Sequence, residues 1–251
     1  MAISDIKYQF RASTNALILL DYDGTLVEIA QRPEQVVPSP RVIQLLTRLS
    51  NQAHTTIVVI SGRKANDIEK AFSGINKLCF IAEHGAIQML NGHWMDRAEQ
   101  AQWKQEVLEL FYRVMDYCPG TFIEEKKYSI AFHYREANDY TAAICTEELL
   151  NKLQVLDISA ELQVLKGNKV IEVMNKAYNK GTAAEELLNS APYDFILAIG
   201  DDTTDEELFK VLNKKDNAFT VKVGPGQTAA HYRIDTVSEV LDLLENLKKE
   251  V

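Results

Sequence analysis

Four short apolar runs, LILLD at 17–21, TIVVISGR at 56–63, LCFIAEHG at 78–85 and FILAIGDD at 195–202, stop abruptly in acidic, small or glycine residues. Runs this short, with no polar residue alternating through them, suit strands buried on both faces, as in a parallel sheet. Between them the pattern turns helical. Residues 41–50 place Val42, Leu45, Leu46 and Leu49 on one face, and helices are expected over 64–72, 181–188, 205–212 and 237–249. AFTVKVG adds a strand, and IQMLNGHWM carries the Asn-Gly signal of a hairpin. Strands separated by helices imply an α/β fold with a parallel sheet and right-handed crossovers.

The middle of the chain follows a different pattern. QWKQEVLELFYRVMDY is an amphipathic helix stopped near Pro119, and KKYSIAFHYR alternates as a strand should. NDYTAAICTEELLNKL is helical, with Asn138 or Asp139 as its cap, and AELQVLKGNKVIEVMN splits into two strands around the turn at 166–168. This sequence of elements predicts an antiparallel sheet with helices on one face. The expected organisation is therefore a Rossmann-like core over 1–96 and 176–251, interrupted by an inserted α+β unit over 97–175.

Composition excludes several classes of function. The 251 residues are 46% hydrophobic and 25% charged, as in ordinary globular proteins rather than disordered ones. With 36 acidic against 27 basic residues the formal charge is −9, which repels a polyanion and leaves no broad basic face for nucleic acid. Cys79, Cys118 and Cys145 are scattered and form no C-x-x-C pair, so a disulfide framework or zinc site is not expected, and a reducing cytoplasmic compartment is. The start lacks a basic region followed by an apolar one, and no apolar run approaches the roughly 20 residues that span a bilayer, so neither export nor a membrane anchor is expected. A monomer is expected.

In open parallel sheets the ligand crevice lies outside the carboxyl ends of the strands. Those ends carry Asp21 and Asp23, Ser61-Gly62-Arg63, Glu83-His84-Gly85 and Gly200-Asp201-Asp202. Taken singly, each has an ordinary alternative. Asp23-Gly24 fits a turn, S-G-R fits a loop, and a lysine at a helix start is normally solvated. Together they form an oxygen-rich site for Mg²⁺, with Asp21, Asp201 and the backbone carbonyl of Asp23 as ligands. Asp21 then suits a nucleophile and Asp23, two residues on, a general acid and base. Ser61, Lys180 and the N–H groups around Gly24 and Gly62 suit the charge on a phosphoryl group.

The ordered set D-x-D-G-T at 21–25, S-G-R at 61–63, Lys180 before a helix and G-D-D-x-x-D at 200–205 resembles the haloacid dehalogenase superfamily of phosphatases. The insert is similar to that superfamily's α+β cap. More narrowly, LLDYDGTL, VISGR, AEHGA, IEEKKYSIAFHYR, KVIEV and AIGDDTTDE resemble the trehalose-6-phosphate phosphatase family, including the phosphatase half of fused synthase/phosphatase chains.

The resemblance implies that Asp21 is the nucleophile, Asp23 the acid and base, and Ser61 and Lys180 the phosphate binders. Gly24, Thr25, Gly62, Arg63 and His84 would line the crevice. Asp201 would hold Mg²⁺, with Asp202 or Asp205 holding metal-bound water or orienting Lys180. In the cap, Glu124, Lys126 and Glu172 would bond the sugar hydroxyls, although EEKK equally fits a solvated charged face and Glu172 an exposed strand position. MNKAYNKG replaces the family's usual basic residue and Pro- or Gly-containing linker before the lysine.

The implied reaction is Mg²⁺-dependent hydrolysis of trehalose 6-phosphate through an aspartyl-phosphate. Another sugar phosphate, of the sucrose-phosphate or mannosyl- or glucosyl-3-phosphoglycerate type, is the alternative substrate. A silent sugar-phosphate-binding domain would be expected to lack Asp21, Asp23 or Lys180, and all three are present. The implied partner is a trehalose-6-phosphate synthase, fused or separate.

Overall fold

The computed structural model describes residues 3–30, 36–99, 101–156 and 159–248. The chain divides into two compact units, one formed by Met1–Arg97 with Asn179–Val251 and the other by Ala98–Tyr178.

The first unit is a three-layer α/β fold. Its strands are β1 (Ala16–Asp21), β2 (Thr55–Ile60), β3 (Leu78–Ala82), β4 (Ile87–Leu90), β5 (His93–Asp96), β10 (Phe195–Gly200), β11 (Ala218–Val223) and β12 (Tyr232–Ile234). They form one sheet in the order β12-β11-β10-β1-β2-β3-β4-β5. Pairing is parallel from β12 to β3, and the β4–β5 hairpin is added antiparallel at the edge. Alternate residues of β1 explain its unbroken apolar run. Ile18 and Leu20 pack toward α1 (Ile3–Ala12), α2 (Pro40–Ser50), α3 (Ala65–Ala71) and α8 (Val237–Glu245). Leu17 and Leu19 pack toward α6 (Lys180–Ser190) and α7 (Asp205–Leu212).

Helix α1 and the short strand β12 were not anticipated from the sequence. α1 buries only Ile6 and Phe10, and three residues are too few to carry a clear period. The closing helix, expected to reach Lys249, ends at Glu245 with Asn246 as its C-cap, and Lys249 itself lies outside the described residues. β1 lies between β2 and β10, so the chain leaves it in one direction and returns on its other side. This is the switch point at which α/β sheets open a crevice.

The second unit pairs a four-stranded antiparallel sheet with two helices, α4 (Lys104–Met115) and α5 (Asp139–Gln154). Its strands are β6 (Phe122–Glu125), β7 (Ser129–His133), β8 (Leu162–Gly167) and β9 (Val170–Asn175), in the order β6-β7-β9-β8. Ile130 and Phe132 of β7 and Ile171 and Val173 of β9 join Val107, Phe111 and Leu149 of the helices in one core. Asn138 caps α5 by accepting from the Tyr140 N–H. Among the described residues no helix is long and apolar enough to cross a membrane.

Candidate active site

The carboxyl ends of β1, β2, β3 and β10 and the first turns of α6 and α7 gather the polar residues of the first unit. Asp21 ends β1 beside Ile60 of β2 and is 5% exposed. A carboxylate that deep needs a counter-charge. Lys180, at the start of α6 and 2% exposed, supplies it by donating to Asp21 Oδ1 at 2.7 Å and to Asp205 Oδ1 at 2.8 Å. Asn179 holds that turn with a capping box, its side chain accepting from the Thr182 N–H.

Asp205 has a second task. Its Oδ2 accepts from the N–H groups of Asp201 and Asp202 at 3.0 and 3.1 Å, fixing the loop after β10. Asp202 folds onto Thr204, accepting from its N–H and hydroxyl at 2.7 and 2.6 Å. Lys222, buried on β11 opposite Gly200, donates to the backbone carbonyls of Asp201 and Val223.

Asp21, Asp201 and Asp205 each place a carboxylate oxygen within 4.8 Å of the others. Asp21 Oδ2 is buried and has no hydrogen-bond partner. Burial pushes the Asp21 carboxyl well above the carboxylate range, with Lys180 opposing and Asp205, Asp201 and Asp202 reinforcing. Burial, then Asp202 and Asp205, push Asp201 up to about 7. For Lys180 burial works against the charge, yet Asp205 and Asp21 hold its ammonium well above the ordinary lysine value. Asp202 is likewise penalised by burial, but Lys180, Thr204 and His84 bring it below its usual range. Carboxylates crowded beyond what Lys180 and Lys222 offset, with an orphaned oxygen among them, fit a hard divalent cation of the Mg²⁺ kind.

Asp23 stands apart from that cluster. Arg63 holds its carboxylate in a two-pronged ion pair, Nε to Oδ2 at 2.7 Å and Nη2 to Oδ1 at 2.6 Å, with the guanidinium 4.8 Å from the Tyr22 ring centre. Arg63 thus meets the Asp23 carboxylate. Ser61 is 2% exposed, and its Oγ accepts from the Arg63 N–H at 3.2 Å. Gly24 has φ +80°, and a Cβ there would overlap the Asp201 carboxylate. Gly62 lies under the His84 ring in the same way. Glu83 and His84 both take left-handed backbone, φ 46° and 56°, on a turn tied to β2 by the His84 N–H to Ser61 carbonyl bond. Such strain concentrates at functional sites. Thr25 is fully buried, its hydroxyl without a hydrogen-bond partner.

In the second unit Lys126 and Glu172 pair with each other, and Glu124 lies two strands from Glu172 with its Oε2 3.2 Å from His133 Nε2. Lys126 Nζ donates to Glu172 Oε1 at 2.8 Å, and both side chains are about nine-tenths buried, so neither is a solvated surface charge. Lys104 Nζ donates to the Lys126 carbonyl at 2.6 Å and to Glu125 Oε1 at 2.7 Å, pinning the turn. Lys222, Ser129 and His133 were not expected among these polar groups. Their only sequence signals are a lysine inside the apolar AFTVKV and a two-residue period in SIAFH.

A trehalose-phosphatase family model matches residues 19–238. The chain belongs to the trehalose-phosphatase family. It is 36% identical over 250 residues to a bifunctional trehalose-6-phosphate synthase/phosphatase of Thermoproteus tenax, covering 99% of this chain and 34% of the relative. A trehalose-phosphatase of Schizosaccharomyces pombe is 31% identical over 254 residues, covering 95% of this chain and 31% of the relative. The chain therefore spans about a third of the length of these trehalose-phosphatase relatives. The solved C-terminal domain of C. albicans trehalose-6-phosphate phosphatase superposes with a TM-score of 0.90 at 28% identity, covering 98% of this chain and 97% of that one. This fold, with its parallel-sheet core and separate antiparallel sheet, is the haloacid dehalogenase-like fold of those phosphatases.

Proposed function

We propose that this chain hydrolyses trehalose 6-phosphate to trehalose and phosphate, with Asp21 as nucleophile and Mg²⁺ as the metal. The observation that carries the proposal is the buried Asp21–Lys180–Asp205 bridge, which fixes one oxygen of Asp21 and leaves the other without a hydrogen bond. Asp21, Asp201 and Asp205 would hold the cation, with the Asp23 carbonyl as a further oxygen donor. When bound, Mg²⁺ polarises the phosphoryl oxygens and offsets the crowded carboxylates.

Asp21 attacks phosphorus while the bond to the sugar oxygen breaks, giving an aspartyl-phosphate. Asp23 gives its proton to the departing sugar oxygen, then takes a proton from the water that attacks the intermediate and releases phosphate. In its ion pair Asp23 only accepts hydrogen bonds, so proton donation requires Arg63 to turn away. A dianionic phosphate beside Ser61 offers the guanidinium an alternative partner. Ser61, Lys180 and the N–H groups near Gly24 and Gly62 steady the transferring group. Glu124, Lys126 and Glu172 supply hydrogen bonds to the sugar. A trehalose-6-phosphate synthase, fused or separate, is the proposed source of substrate.

The test is phosphate release with Mg²⁺ and with EDTA from trehalose 6-phosphate, sucrose 6-phosphate, glucose 6-phosphate, mannosyl-3-phosphoglycerate and p-nitrophenyl phosphate. A metal-dependent preference for trehalose 6-phosphate by orders of magnitude in kcat/KM is expected. Another favoured sugar phosphate would retain the chemistry and replace the substrate. Glu124→Ala and Glu172→Ala should weaken use of trehalose 6-phosphate far more than of p-nitrophenyl phosphate, and equal losses would remove the sugar-recognition role.

A further inference from the structure

The sheet of the second unit has two chemically different faces. Ile130 and Phe132 of β7 face the helices, and Ser129, Ala131 and His133 alternate with them toward the opposite side. The register places Glu124 of β6 opposite Ala131 and Ala131 opposite Glu172 of β9. One cross-strand row therefore reads Glu124, Ala131, Glu172. Two strand spacings put the bases of the two glutamates roughly 10 Å apart on the same face.

The strand between them holds both carboxylates. Ser129, 1% exposed, donates from Oγ to Glu172 Oε1 at 2.6 Å, the same oxygen that accepts from Lys126. His133 Nε2 lies 3.2 Å from Glu124 Oε2. Its ring stacks on Phe122, centroids 4.4 Å apart and planes 9° from parallel, so its aim is set by packing. A free glutamate loses rotamer freedom when it binds a ligand, whereas one already anchored has lost it during folding.

We propose that Ser129 and His133 are positioning residues for substrate selection, each locking one of the two glutamates in place for sugar hydroxyls. This rests on the sugar-recognition role given above to Glu124 and Glu172. The central strand then sets the spacing and direction of both acceptors, with the small Ala131 between them.

The test is steady-state kinetics of Ser129→Ala and His133→Phe on trehalose 6-phosphate and on p-nitrophenyl phosphate. His133→Phe retains a ring on Phe122 and removes the nitrogen. Each variant should raise KM for trehalose 6-phosphate about tenfold to a hundredfold, the scale of a hydrogen bond to a charged group. kcat, and both constants for p-nitrophenyl phosphate, should not change. Adding Ser129→Ala to Glu172→Ala, or His133→Phe to Glu124→Ala, should cost nothing further, because the group being positioned is already gone. Ser129→Cys, similar in size and a much weaker donor, serves if Ser129→Ala does not fold.

Unchanged KM, equal losses on both substrates, or full additivity would overturn the proposal while selective losses in Glu124→Ala and Glu172→Ala left the sugar-recognition role standing. Equal losses in those two glutamate variants would remove that role, and this proposal with it.

Discussion

At the residue scale, the decisive feature is the way two acids two positions apart are separated in environment. Asp21 faces Lys180 and both are buried, whereas Asp23 faces Arg63 with 35% of its side chain exposed. One is fixed by a buried ammonium, and the other is held in a partly exposed pair with a guanidinium. This division suits a nucleophile and a proton carrier. Asp21→Asn retains the shape of the side chain but not its charge, so turnover should fall below detection while circular dichroism and the melting curve remain those of a folded protein. Asp23→Asn should come close to the same result. Substantial turnover in either would eliminate the assigned chemistry.

At the element scale, the site depends on helix starts and strand ends. Helix α6 delivers Lys180 because Asn179 and Thr182 bond each other's backbone N–H groups at its first turn. Asn179→Ala should cost about 0.5–2 kcal/mol of stability, the range for a lost N-cap. It should also lower kcat for every phosphate ester alike, since Lys180 is proposed to serve the phosphoryl group rather than the sugar. Denaturant melts and kinetics on two substrates check this, and a loss confined to trehalose 6-phosphate would contradict it. The strand ends were legible in the sequence because an apolar run stops where the sheet stops. The partners chosen at those ends were not, because a side chain's target depends on which strand lies alongside.

At the scale of the whole molecule, the first unit keeps a charge imbalance that folding alone does not relieve. Asp201 has its pKa raised from 3.8 to about 7 in the folded chain. Its stabilising contribution is present below the unfolded value and is lost as pH rises through about 7. A cation bound only by the folded cluster adds stability by mass action, about 2.7 kcal/mol at a hundredfold excess over Kd. Because such binding requires ionised carboxylates, the rise in Tm given by Mg²⁺ over EDTA should grow as pH is raised through 7. Calorimetry at a series of pH values measures it, and a pH-independent or absent rise would argue against a cation on Asp21, Asp201 and Asp205.

The sequence by itself determined the parallel-sheet core, the mid-chain insert and the family, because burial period, turn chemistry and motif order are local properties of the chain. Tertiary structure alone decided the pairings: Arg63 with Asp23, 40 residues apart, Lys180 with Asp21, 159 apart, and Ser129 with Glu172, 43 apart. Register and crossing topology set these distances, and no window of neighbouring residues carries that information. A carboxylate's partner is whichever cation the fold brings within about 3 Å of it, so its role in the site is settled only once the strands are in place.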